Sequence, residues 1–132
     1  LAEQLVRSKM FKQTLLNDSI QQLDKEFLEK IILIINENCY SEDLDVEFIA
    51  RQVNMSHSNL YKKIKALTGL SVNEFIRKTR MKQAEELLLT GKYTISEVAF
   101  RVGINKTAYF RQCFKEEFGV SASEYLKKIQ KC

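Results

Sequence analysis

The 132-residue sequence has no proline and no tryptophan, and only four glycines, three cysteines and one histidine. Each shortage excludes something. Without proline, nothing kinks a helix from within. Cys39, Cys113 and Cys132 form an odd, widely spaced set, which is neither a disulfide framework nor a zinc-ligand spacing. We read the first two as semi-buried thiols and the third as one at a frayed terminus, in a reducing cytoplasm. His57 has no cysteine or carboxylate cluster at ligand spacing, so neither metal binding nor catalysis is expected of it. No apolar run approaches the roughly 20 residues of a membrane span. The longest, IILII at 31–35, has the length of a helix core. The opening LAEQLVRSKMF lacks the apolar centre of a signal peptide. Because it starts at Leu1 and not at Met, we expect a piece of a longer chain. Phosphate-cradling glycine loops and nucleophile elbows are missing as well. The acidic SEDLDVE at 41–47 lacks the glycine and terminal glutamate of a calcium loop. No enzymatic activity and no cofactor or metal is therefore expected.

What remains is a chain that is 45% hydrophobic, enough for one globular domain or two very small ones. The net charge of +4 is unevenly spread: residues 1–20 carry +1, 21–53 carry −5, and 54–90 and 91–132 carry +4 each. Such asymmetry suggests a polyanion on one side of the molecule; a merely solvated charged face is the alternative.

Helical period dominates and no strand-like alternation persists, so the expected class is all-α. Asp24 is placed to cap a helix whose apolar stripe is Phe27, Leu28, Ile31, Ile34 and Ile35. Asp45 caps a short helix with Phe48, Ile49 and Val53 inward. A tight turn then leads into MSHSNLYKKIKALTG. The Ser71–Glu74 spacing of a capping box opens a long helix through Phe75, Ile76, Met81, Ala84, Leu87 and Leu88. TISEVAFRVG, NKTAYFRQCFKEEFG and SASEYLKKIQ supply three more, and all four glycines fall at helix ends or turns. Residues 1–23 carry only weak stripes of Leu5, Leu15, Leu16, Ile20 and Leu23, and read as a linker or the tail of a preceding domain.

The second half repeats the first. Val46, Ile49, Ala50, Val53 and Met55 match Ile95, Val98, Ala99, Val102 and Ile104, each 49 residues later, and Asn54 matches Gly103. Beyond that turn the offset is 50: Leu60, Ile64, Lys65, Gly69, Ser71, Glu74 and Phe75 match Phe110, Phe114, Lys115, Gly119, Ser121, Glu124 and Tyr125. One extra residue therefore sits near the start of the second longer helix. Each copy is a short helix, a tight turn that wants a left-handed residue, and a longer helix. That is the pattern of a helix-turn-helix whose second helix enters the major groove. Two copies joined by one long helix are far more specific than one.

These stretches, VEFIARQVNMSHSNLYKKIKALTGLSVNEFIRKTRMKQAEELL and TISEVAFRVGINKTAYFRQCFKEEFGVSASEYL, resemble the AraC/XylS-type transcription regulators over about residues 24–130. The second carries the signature: the turn glycine, a Tyr-Phe pair, Phe-Lys, a glycine and Glu-Tyr. It departs at Ile104 (usually Phe), Ala122 (usually Pro) and Leu126 (usually Arg), the last of which removes one expected backbone contact. The resemblance implies a seven-helix bacterial DNA-binding unit: a first subdomain at 24–70, a linker helix at 71–90 and a second subdomain at 91–132. LYKKIKALTGLSVNEFIRKTRMKQA is most similar to output domains of Bacteroides-type hybrid two-component regulators, where a receiver precedes. It further implies double-stranded DNA and RNA polymerase as partners, a homodimer in the full-length protein, and no membrane contact.

At 100° per residue, with Leu60 at zero, Ile64 and Leu67 lie within about 40°, and Ser58, Tyr61, Lys62 and Lys65 about 100–200° away. From Phe110, the same angles fall on Ala108, Arg111, Gln112 and Lys115. Lysine or arginine can donate to guanine, glutamine can pair with adenine, and alanine can touch a thymine methyl. The resemblance assigns base reading to Ser58, Tyr61 and Lys62, and to Thr107, Ala108, Arg111 and Gln112. Contacts to the DNA backbone are expected from Ser56, His57, Lys65, Ser71, Asn105, Lys106 and Lys115. Lys63, Arg77, Arg80 and Lys82 add further basic charge. The rival reading is a helical protein-interaction module whose basic faces are only solvated.

Overall fold

The computed structural model describes residues 22–130, and the readings on residues 1–21 and Cys132 lie outside them. The described chain is helical throughout: α1 (Gln22–Glu37), α2 (Val46–Gln52), α3 (His57–Thr68), α4 (Val72–Leu89), α5 (Ile95–Arg101), α6 (Thr107–Phe118) and α7 (Ala122–Gln130). No strand occurs among the described residues.

The caps explain the boundaries. Asp45 accepts the Phe48 N–H at 2.8 Å, and Ser56 accepts the Asn59 N–H at 3.1 Å. The Ser71–Glu74 box is complete, with both reciprocal bonds at 3.1 Å. A second box, Thr94 with Glu97, opens α5 and was not singled out in the sequence. Each such cap is worth about 1 kcal/mol. Asp24 behaves differently from expectation. It lies in the first turn of α1 rather than before it, where its carboxylate still favours the helix N-terminus and sits 3.8 Å from Lys63 Nζ.

The two turns between paired helices are built alike. In the first, the Met55 N–H reaches the Ala50 carbonyl at 3.0 Å, and in the second the Ile104 N–H reaches that of Ala99 at 2.9 Å. Asn54 (φ 55°) and Gly103 (φ 81°) supply the left-handed residue. Cap aligns with cap at Ser56 and Lys106, so the residue without a counterpart is Asn105, just before α6.

Two cores result. Leu28, Ile31, Ile35, Leu44, Ile49, Leu60 and Ile64 fill the first, and Met81, Leu88, Val98, Val102, Phe110 and Phe114 the second. Helix α4 serves both: Val72, Phe75 and Ile76 face the first, Met81, Ala84 and Leu88 the second. Each fully buried large apolar side chain stabilises the fold by roughly 1.5–3 kcal/mol relative to exposure. Small Ala50 and Ala99, both buried, let the paired helices approach closely. The second core is aromatic, with Phe114 4.4 Å from Phe118 and edge-on to Tyr125 at 5.5 Å. Cys39 belongs to this second core although it follows α1, so one loop reaches from one half of the molecule into the other.

Candidate nucleic-acid interface

Helix α3 packs through Leu60 and Ile64, both 0% exposed, with Leu67 half-buried beside them. Its opposite side exposes Ser58, Tyr61, Lys62 and Lys65, preceded by exposed Ser56 and His57. Helix α6 repeats this. Phe110, Cys113 and Phe114 are buried, while Ala108, Arg111, Gln112 and Lys115 are exposed, with Thr107 half-buried at the first position. Asn105 and Lys106 are exposed just before it. Each helix thus segregates one apolar stripe from one face of hydrogen-bond donors. Of the fourteen residues proposed from the sequence, twelve are exposed, and Ser71 and Thr107, each at a helix start, are half-buried.

Several of these groups already have partners. Ser56 and Ser71 use their hydroxyl oxygens as caps, and the Ser71 N–H donates to Glu74. Those hydroxyls keep a donor for a phosphate, but the Ser71 amide is spent. Asn105 Nδ2 donates to Glu42 Oε1 of the α1–α2 loop. Arg111 Nη1 lies 3.4 Å from Ser123 Oγ, and Gln112 Nε2 lies 3.3 Å from Glu116 Oε1. These are long, exposed bonds that a base edge would readily replace. Lys62 and Lys106 form no ion pair among the described residues. α6 also differs from α2, α3, α4 and α5 in having no side-chain cap on its first amides. Uncapped amides and a positive dipole end are what an anion binds.

The extra basic charges are mostly structural, which helical period alone did not reveal. Lys63 pairs with Asp24 and lies 4.4 Å above the Phe27 ring. Lys82 is 6% exposed, 5.1 Å over Phe118 and 4.0 Å from Glu85. Arg80 is turned to the loop after α1, donating to the Ser41 carbonyl at 2.9 Å. Arg77 stays exposed beside Tyr109. Burial is the largest single influence and opposes its charge, but the hydrogen bond with the Tyr109 hydroxyl and the attraction of Tyr109, Cys113 and Glu116 together raise its pKa above the ordinary value. Tyr109, half exposed on α6, and Glu42, the partner of Asn105, are the members of this surface that sequence reasoning did not assign. The only signal for Tyr109 was its place in the Tyr-Phe pair. For Glu42, 63 residues from Asn105, there was none.

Among the described residues no group of three metal-ligating side chains occurs, and no helix is long and apolar enough to cross a membrane. Two helix-turn-helix units on a shared helix, each exposing the donor-rich side of its second helix, define a tandem helix-turn-helix DNA-binding domain. A family model described as a helix-turn-helix domain, of the AraC/XylS type, matches residues 49–128. The chain belongs to that family of DNA-binding transcription regulators. It is 36% identical over 107 residues to histidine kinase P4 of Formosa agariphila, covering 81% of this chain and 8% of that protein. It is 37% identical over 106 residues to the Msm operon regulatory protein of Streptococcus mutans, covering 80% of this chain and 38% of that one. The chain therefore spans well under half the length of these curated relatives. Its fold is similar to the DNA-binding domain of AdpA, a global transcriptional factor solved in complex with a target DNA. The TM-score there is 0.71 and the identity 28%, over 79% of this chain and 93% of that one.

Proposed function

We propose that this chain is the sequence-reading output domain of a bacterial transcription regulator, acting in the cytoplasm. The observation that carries this is the repeated face: the same donor-rich helix side behind the same turn hydrogen bonds, twice. Ser58, Tyr61 and Lys62 on α3, and Thr107, Ala108, Arg111 and Gln112 on α6, meet base edges. Ser56, His57, Lys65, Ser71, Asn105, Lys106 and Lys115 meet phosphates. The two second helices lie in successive major-groove segments on one side of the duplex, about one helical turn (roughly 34 Å) apart. Such a site need not be a palindrome. The kinship with part of a histidine kinase supports a place after a receiver in a hybrid two-component protein. There, phosphorylation upstream promotes homodimerisation, and contacts to RNA polymerase activate transcription.

The test is fluorescence anisotropy on duplexes selected from a random DNA pool. Lys62→Ala and Arg111→Ala should each weaken the selected duplex by about 1–3 kcal/mol, roughly fivefold to 150-fold, and relax its sequence preference. The wild type should also lose affinity steeply with added salt, as counterions are released. Unchanged binding in both variants sinks the base-reading assignment, and a flat salt profile favours the protein-interaction module instead.

A further inference from the structure

The loop between α1 and α2 ties the two halves together in a way that α4 alone does not. Leu44 of this loop is buried in the first core and Cys39 in the second. The Cys39 Sγ lies 3.9 Å from the Val102 carbonyl, at the end of α5. The Cys39 carbonyl packs so closely on Gly103 that a Cβ there would overlap it. Arg80, in the middle of α4, is the keystone. Its Nη2 donates to the Ser41 carbonyl at 2.9 Å and would lie 2.9 Å from that same Cβ. Its Nε is buried without a hydrogen-bond partner, so the guanidinium accepts a desolvation cost to sit there. Finally Glu42 accepts from Asn105, the one residue the second turn has and the first lacks. The second turn, from which α6 starts, is thus held by the first subdomain at Val102, Gly103 and Asn105. The equivalent residue of the first turn, Asn54, is exposed.

We infer that this loop is a strut, with Arg80 as its positioning residue, that fixes how far apart and at what angle the two DNA-reading helices sit. The inference rests on the reading that both α3 and α6 bind DNA. Two modules held in one geometry gain a high effective concentration for the second contact, but only at the spacing that geometry fits. Each added or removed base pair turns the second half-site by about 34–36° and shifts it by about 3.4 Å. A rigid pair cannot follow such a change, whereas a loosened pair follows it at the cost of affinity for the fitted spacing.

The experiment compares the wild type, Arg80→Met and the surface variant Glu42→Ala, which removes the loop's bond to Asn105, all as the whole chain. Probes are the duplex selected from a random pool, the same duplex with one base pair inserted or deleted between its half-sites, and versions with either half-site scrambled. For the wild type, scrambling either half-site and changing the spacing should each cost about tenfold or more. The variants should bind the fitted spacing about three- to tenfold more weakly, bind each single half-site like the wild type, and lose most of the spacing penalty. Helical circular dichroism and melting establish that Arg80→Met is folded. If it is not, Glu42→Ala, an exposed change, carries the test. A full spacing penalty in the folded variants overturns the strut, and so does an equal loss on single half-sites. A wild type indifferent to scrambling one half-site overturns the two-helix reading itself, and the strut with it.

Discussion

Alanine at Gly103 should cost about three times what it costs at Gly91, although both glycines are left-handed, at φ +81° and +70°. At Gly91 a Cβ would meet nothing within 4 Å, so the penalty is conformational. The left-handed strain of roughly 1–2 kcal/mol is partly offset by the reduced freedom of the unfolded chain, leaving about 1 kcal/mol. At Gly103 the same term applies, but the Cβ also strikes the Cys39 backbone carbonyl, which has no rotamer to change. The loop must move, which breaks the charge-assisted bond from Arg80 to Ser41, worth about 1.5–3 kcal/mol. The sum is about 3 kcal/mol, or a fall in Tm of about 10 °C or more for a domain of this size, against about 4 °C for Gly91→Ala. Urea denaturation of both variants, followed by circular dichroism, measures the difference directly. Gly103→Asn, which tolerates the dihedral but keeps the Cβ, should remain nearly as destabilised as Gly103→Ala. If Gly103→Ala and Gly91→Ala agree within 1 kcal/mol, the close approach of the loop to the second turn is wrong.

Three other outcomes are expected. Burial pushes the Cys39 thiol from 9.0 up to about 11 against the opposing effect of Arg80, so the native state holds this proton more tightly than the unfolded chain. Its stabilisation is whole below pH 9 and is lost as pH rises towards 11, by roughly 2–3 kcal/mol, and Cys39→Ala should flatten that part of the unfolding free energy against pH; an unchanged slope refutes the assignment. Tyr125→Phe removes the 2.7 Å bond to Glu85, which is 5% exposed, and should cost about 1–3 kcal/mol in urea unfolding; no loss would mean that Lys82 alone satisfies the carboxylate. Lys106→Asp gives α6 the cap it lacks, and should stabilise the domain by about 1 kcal/mol while weakening the selected duplex several-fold through repulsion from phosphate. Tighter folding with undiminished affinity would show that this helix start does not face the DNA backbone.

The sequence by itself determined everything that repeats at short range. Asp45, Ser56 and the Ser71–Glu74 box act within one helical turn, so their spacing in the chain is their spacing in space. The inward stripes of α3 and α6 follow from helical period, and an outward face follows once the inward one is known. The offset of 49 becoming 50 even placed an insertion, though only the structure located it at Asn105. Tertiary structure decided which charges are free. In the sequence Lys62 and Lys63 are adjacent lysines, yet Lys63 lies over Phe27 while Lys62 forms no ion pair among the described residues. Lys82 reads as a surface residue and is buried against Glu85 and Phe118, because its alkyl stem can fill a core whose carboxylate and ring receive the charge. Cys39, Arg80, Gly103 and Glu42 meet only because α4 carries one half of the chain back against the loop of the other. Contacts across 39 or 63 residues leave no period to read. Local physics wrote the two reading helices into the sequence, and packing between the halves set where one stands relative to the other.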